Sequence, residues 1–134
     1  MTSSRSDALA RIRAYFDDRQ KGYLADLQAL VAVPTESQNP ERLGDLHRYL
    51  DREMAPRFAR LGYTTRILDN PRKGAGPVLL ATRIEDPSLA TILGYGHGDV
   101  VLGMAGRWAE GRDPWRVTID GGKAFGRGVV DNKG

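Results

Sequence analysis

The sequence predicts an α/β layered domain, on three observations. Two stretches of helical period come first, strand-like alternation follows them, and a nearly continuous apolar run at residues 90–95 has the character of a strand buried on both faces.

The spacing predicts a first helix over residues 6–31. Leu9, Ile12, Phe16, Tyr23, Leu27, Leu30 and Val31 form one apolar face, Ser6 or Asp7 offers a cap, and Pro34 ends the helix. A second helix is expected to start at Asn39-Pro40, where Asn suits the cap and Pro the first turn. Leu43, Leu46, Leu50, Met54, Phe58 and Leu61 keep the helical period, and Gly62 suits the residue just past its end. Pro56 falls inside this pattern and predicts a kink or break. His47, among polar neighbours, reads as a surface histidine. Residues 63–68 alternate as a strand with Tyr63, Thr65 and Ile67 on one face, and residues 78–84 give a second strand. Short strands at 115–119 and 123–127 flank an Asp120-Gly121-Gly122 turn, a hairpin signal.

Composition narrows the function. The 134 residues suffice for one domain with a core, and 40% hydrophobic against 28% charged residues excludes disorder by composition. The net charge of +3 comes from 20 basic and 17 acidic residues that are intermixed, without the basic, aromatic-interleaved stripe of a nucleic-acid binder. There is no cysteine, so disulfides, thiolate metal sites and a thiol nucleophile are excluded. No apolar run approaches a membrane span, and the N-terminus lacks a secretory signal. The expectation is a soluble, cytoplasmic chain with neither nucleic acid nor membrane as partner.

Three residues stand out chemically. His97 follows the apolar run directly, where α/β sheets gather functional groups, and Gly96 and Gly98 leave it uncrowded. Asp99, two residues on, is placed to accept a ring N–H from His97, as carboxylates do for metal-binding imidazoles. Taken alone, His-x-Asp fits a surface histidine with an acidic partner better than a metal site. Asp131 ends the run Gly126-Arg127-Gly128-Val129-Val130; it reads either as a carboxylate able to bridge two cations or as a helix cap. Phosphate-loop, dinucleotide and Gly-x-Ser-x-Gly motifs are absent.

Together these segments resemble the co-catalytic zinc aminoacylase and carboxypeptidase family, which includes acetylornithine deacetylases, succinyl-diaminopimelate desuccinylases, carnosinase-like dipeptidases and glutamate carboxypeptidases. The stretch from Leu93 through His97 and Asp99 to Val101 resembles the family's first metal motif, and Gly126 through Asp131-Asn132-Lys133-Gly134 its second. Trp108 and Asp113-Pro114-Trp115 match the segment between them, and Leu30-Val31-Ala32-Val33-Pro34-Thr35 the end of the first helix. Leu102-Gly103 departs from the family, where many members carry Pro.

The resemblance implies a partial α/β/α layered, zinc-exopeptidase-like catalytic domain, with residues 1–134 as its N-terminal part, incomplete at the C-terminus. It implies two zinc ions, with cobalt or manganese as alternatives. His97 would bind one zinc, Asp131 would bridge both, and Asp99 would orient His97 as an active-site residue. Arg127, Asn132 and Lys133 would frame the loop, and Trp108 and Trp115 would pack beside it. The implied reaction is hydrolysis of an amide bond in an N-acyl amino acid or small peptide by a metal-activated water, in a homodimeric full-length enzyme. The family's Glu-Glu pair, further acidic ligand, late His and lid or dimerisation domain have no counterpart in these residues. The chain alone is therefore expected to bind metal weakly and to hydrolyse negligibly. A non-catalytic binding or assembly module is the alternative.

Overall fold

The computed structural model describes residues 5–134. Among the described residues helix α1 (Arg5–Val31) comes first, with Ser6 and Asp7 in its first turn. Its last turns pack where the apolar face predicts, with Leu27 and Val31 buried, but Leu9, Ile12, Phe16 and Tyr23 of the same stripe are exposed. The stripe was read from period alone, which shows that a face is apolar and not what covers it.

After the loop that holds Pro34, a 3₁₀ turn (Pro40–Arg42) is capped by Asn39, whose side chain accepts from the Glu41 N–H. Helical structure then runs without interruption through α2 (Leu43–Arg48), a π-helical segment (Tyr49–Met54) and α3 (Ala55–Arg60). The disturbance expected from Pro56 is this π segment. Proline offers no N–H and clashes with the carbonyl four residues back, and a widened turn accommodates both. Within it the Ala55 N–H reaches back to Leu50 O. Gly62 ends α3 at φ +83°, with Gly62 N–H donating to Ala59 O at 2.9 Å and Tyr63 N–H to Phe58 O at 3.1 Å. This is the Schellman closure, and its accompanying contact is the Phe58–Tyr63 ring pair, 5.4 Å between centroids.

Strands β1 (Thr64–Leu68) and β2 (Val78–Thr82) pair antiparallel, Thr64 opposite Thr82 and Leu68 opposite Val78. Thr65 and Ile67 share the more buried face, as the alternation requires. Strands β3 (Thr118–Asp120) and β4 (Lys123–Phe125) form the expected hairpin, shorter than read, and both loop glycines, Gly121 and Gly122, take positive φ. The α/β class is therefore realised, helices first and strands after.

The apolar run at 90–95 is the main correction. It is not a strand, and Ile92 and Leu93 are each 93% exposed and Tyr95 92%. A strand buried on both faces needs paired neighbours and two covering layers. Among the described residues, β1 and β2 pair only with each other, and so do β3 and β4. The chain exposes 10403 Å², where a compact monomer of its mass would expose about 7,000 Å².

The well-packed region is small and lies at one end of α1. Leu27, Val31, Val33, Tyr49 and Val100 are its buried apolar residues, with Thr35 and Pro114 beside them. Replacing Gly62 by Ala puts a Cβ on a left-handed residue; the expected cost is about 1–2 kcal/mol, read as a lower urea midpoint at unchanged slope.

Candidate functional site

Two backbone segments meet above this core. One carries His97, Gly98 and Asp99, the other Asp131, Asn132 and Lys133. The first is lashed to the loop after α1. Val100 N–H donates to Thr35 O at 2.8 Å, the buried Thr35 hydroxyl donates to Gly98 O, and the buried Glu36 carboxylate accepts from Gly103 N–H. Gly103 O in turn accepts from Trp108 Nε1 at 2.7 Å and from Arg127 at 3.2 Å. A Cβ on Gly103 would lie 2.4 Å from the Trp115 ring, so the glycine at this departure from the family pattern makes room for the indole.

The π segment supplies the floor. Tyr49 is 2% exposed and its ring lies under Gly98, where a Cβ would come within 2.1 Å of Cε1. Burial pushes the Tyr49 hydroxyl pKa up to about 12. Lys133, also buried, sends Nζ to Leu30 O at 2.9 Å and Val33 O at 2.8 Å, with the Tyr49 ring centroid 4.9 Å away. Burial brings its ammonium pKa down to about 8, against the opposing pull of Asp99.

The three residues singled out in sequence come together here. His97 Nδ1 lies 3.3 Å from Asp99 Oδ1 and 3.2 Å from Asp99 O, and His97 Nε2 lies 3.3 Å from Asp131 Oδ1. Asn132 completes the group, with Nδ2 3.0 Å from His97 Nε2 and Oδ1 accepting from His97 N–H at 3.2 Å. Hydrogen bonds from Asn132, its side chain first and its backbone N–H second, hold the Asp131 carboxyl below its ordinary pKa.

The donor set fits half of a metal shell. Ligand atoms about 2.0–2.1 Å from a tetrahedral zinc stand about 3.3–3.4 Å apart, the separation between His97 Nε2 and Asp131 Oδ1. Asp99 sits at the opposite ring nitrogen, placed to orient the imidazole and not to share its ion. Among the described residues no group of three or more His, Cys, Asp or Glu side chains converges on one point. His47 lies 3.9 Å from the exposed Asp69.

No family model matches the chain. In sequence it is similar to Beta-Ala-His dipeptidase of Mus musculus, 29% identical over 99% of this chain, and of Homo sapiens, 32% identical over 94%. The homology supports the metallopeptidase superfamily. The chain spans 29% and 26% of the length of these two relatives. In fold it is similar to a solved structure of the di-peptidase Dug1p from Saccharomyces cerevisiae, with a TM-score of 0.70, 22% identity, and coverage of 87% of this chain and 26% of that one. The aminoacylase and deacetylase branches named from the motifs are finer than these similarities reach.

Thr35, Glu36 and Tyr49 escaped the sequence reading. Their only signal is polarity or aromaticity within a loop and a helix that explained both. Two outcomes are expected from these contacts. Gly98→Ala drives a methyl into the Tyr49 ring and should cost about 1–3 kcal/mol, much of it recovered when Tyr49→Ala is added, as a denaturant double-mutant cycle would report. Glu36 has its pKa held below the ordinary 4.5, first by the Gly103 N–H, with burial opposing and Asn39 and Arg42 assisting. A depressed carboxylate contributes stability that is complete above about pH 4.5 and lost as pH falls through the lowered value. Glu36→Gln should flatten that acid limb in unfolding curves between about pH 5 and pH 3 and cost about 1 kcal/mol at pH 7.

Proposed function

We propose that this chain is the metal-binding N-terminal portion of a two-zinc peptidase that cleaves amide bonds of dipeptides or N-acyl amino acids. The observation that carries the reading is the pairing of His97 Nε2 with Asp131 Oδ1 at 3.3 Å, backed by Asp99 on the other ring nitrogen. The similarity to Beta-Ala-His dipeptidases favours a small peptide among the substrates.

In this reading His97 and Asp131 hold a cation and Asp99 fixes the imidazole. A bound zinc supplies Lewis acidity toward water and an amide carbonyl. The residues beneath keep the ligands in place: Tyr49 excludes water from below, and Lys133 anchors the second segment to α1. No Glu-Glu pair occurs in the sequence, so the general base and remaining ligands are assigned to other parts of the full enzyme.

A zinc titration of the 134-residue chain should therefore give weak binding that is lost in His97→Ala and Asp131→Ala, with no measurable turnover of β-Ala-His or N-acetyl amino acids. Tight two-metal stoichiometry with turnover would overturn the assignment of the missing groups elsewhere. Equal zinc affinity in His97→Ala would remove the metal reading itself.

The exposed Ile92, Leu93 and Tyr95 favour a second reading, a non-catalytic assembly module. That reading requires the purified chain to stay monodisperse and to bind a protein partner through this run, as light scattering and an Ile92→Asp variant would show.

A further inference from the structure

Asn132 has no ligating role in the reading above, yet its amide settles which nitrogen of His97 carries the proton. The backbone N–H of His97 can only donate, so the amide atom facing it, 3.2 Å away, must be the oxygen. That orientation turns the NH₂ group to His97 Nε2 at 3.0 Å. An amide nitrogen has hydrogens and no lone pair to offer, so this contact is a hydrogen bond only when Nε2 is unprotonated and accepts.

The ring proton then belongs on Nδ1, and both groups facing Nδ1 are acceptors, Asp99 O at 3.2 Å and Asp99 Oδ1 at 3.3 Å. The second amide hydrogen points to Asp131 Oδ1 at 3.2 Å. With this tautomer every donor in the cluster faces an acceptor. With the other, a protonated Nε2 would have Asp131 Oδ1 as an acceptor but would also meet the nearer NH₂ group, and the bare Nδ1 would face two oxygens.

Asp99 by itself cannot decide the matter. His97 stands between two carboxylates, each 3.3 Å from one ring nitrogen, and either tautomer would find an acceptor. Asn132 makes the difference, because its amide hydrogens occupy the Nε2 side and bridge Nε2 to Asp131 Oδ1. That bridged pair of atoms is the one proposed to hold a cation.

We propose that Asn132 is a positioning residue that holds His97 in the Nδ1–H tautomer and, by capping Nε2 and Asp131 Oδ1 with its amide, keeps both lone pairs open to a cation that displaces it. The tautomer rests on the hydrogen bonds alone, and the displacement rests on the metal-binding function proposed above.

Long-range ¹H–¹⁵N spectra of the ¹⁵N-labelled 134-residue chain at pH 8 test this, with His47→Gln assigning the two rings. His97 is expected to show an unprotonated Nε2 and a protonated Nδ1. Asn132→Asp puts an acceptor opposite Nε2 and should move the proton there. Asn132→Leu should give a mixture. Asn132 is exposed, so circular dichroism should not change in either variant. A protonated Nε2 in the unsubstituted chain, or nitrogen shifts unmoved by both variants, would overturn the tautomer assignment. Zinc added to the unsubstituted chain should shift Nε2, with about tenfold weaker binding in Asn132→Leu. If zinc leaves His97 unmoved while the tautomer behaves as expected, the displacement fails together with the metal reading and the tautomer stands.

Discussion

A helix ends with carbonyls that have no partner inside it, and the way α1 ends determines the arrangement of everything around His97. Leu30 O, in the last turn, and Val33 O, just beyond it, both accept from the buried Lys133 ammonium. A cation at a helix C-terminus is favoured by the helix dipole, and two good hydrogen bonds offset part of the cost of burying it. The tie fixes the segment that carries Asp131 and Asn132. The loop leaving the same helix end supplies Thr35 and Glu36, which fix the segment that carries His97 and Asp99. Both halves of the site are therefore referenced to one helix terminus, although they lie far apart in sequence.

The glycines of the two motifs follow from the same closeness. Gly98 has no room for a Cβ because Tyr49 fills the space below it. Gly128, at φ +90°, would push a Cβ to 2.9 Å from Val100 and 3.2 Å from the Lys133 stem. Tyr49 reaches its position from the π segment that precedes Pro56. A proline that looked in sequence like a local break thus follows closely on the element whose first residue packs under Gly98.

This explains which parts were legible. His97, Asp99 and Asp131 were singled out through the resemblance of their ordered motifs to one family, and the structure brings the three side chains together. The Gly62 closure and the Asp120-Gly121-Gly122 hairpin were legible because positive φ is written in the residue type. Thr35 and Glu36 act through carbonyls and N–H groups of distant residues, and Lys133, expected only to frame its loop, does the same; such backbone partners leave no mark on sequence. The run at 90–95 misled for a different reason. Its apolar composition is compatible with a buried strand, but burial depends on neighbours, and the described strands pair elsewhere.

The distribution of packing has a consequence for how the site is held. The N-terminal part of α1 and the 90–95 run that leads into His97 are exposed, while Tyr49 and Lys133 beneath the site are close to fully buried. Order is concentrated where two segments must be kept 3.3 Å apart at their ligating atoms. Holding a lone pair and a carboxylate oxygen that close is unfavourable unless donors stand between them, and the Asn132 amide provides those donors. The cluster is thus satisfied as it stands, and its satisfaction uses a neutral group at the position where its charge distribution favours a positive one.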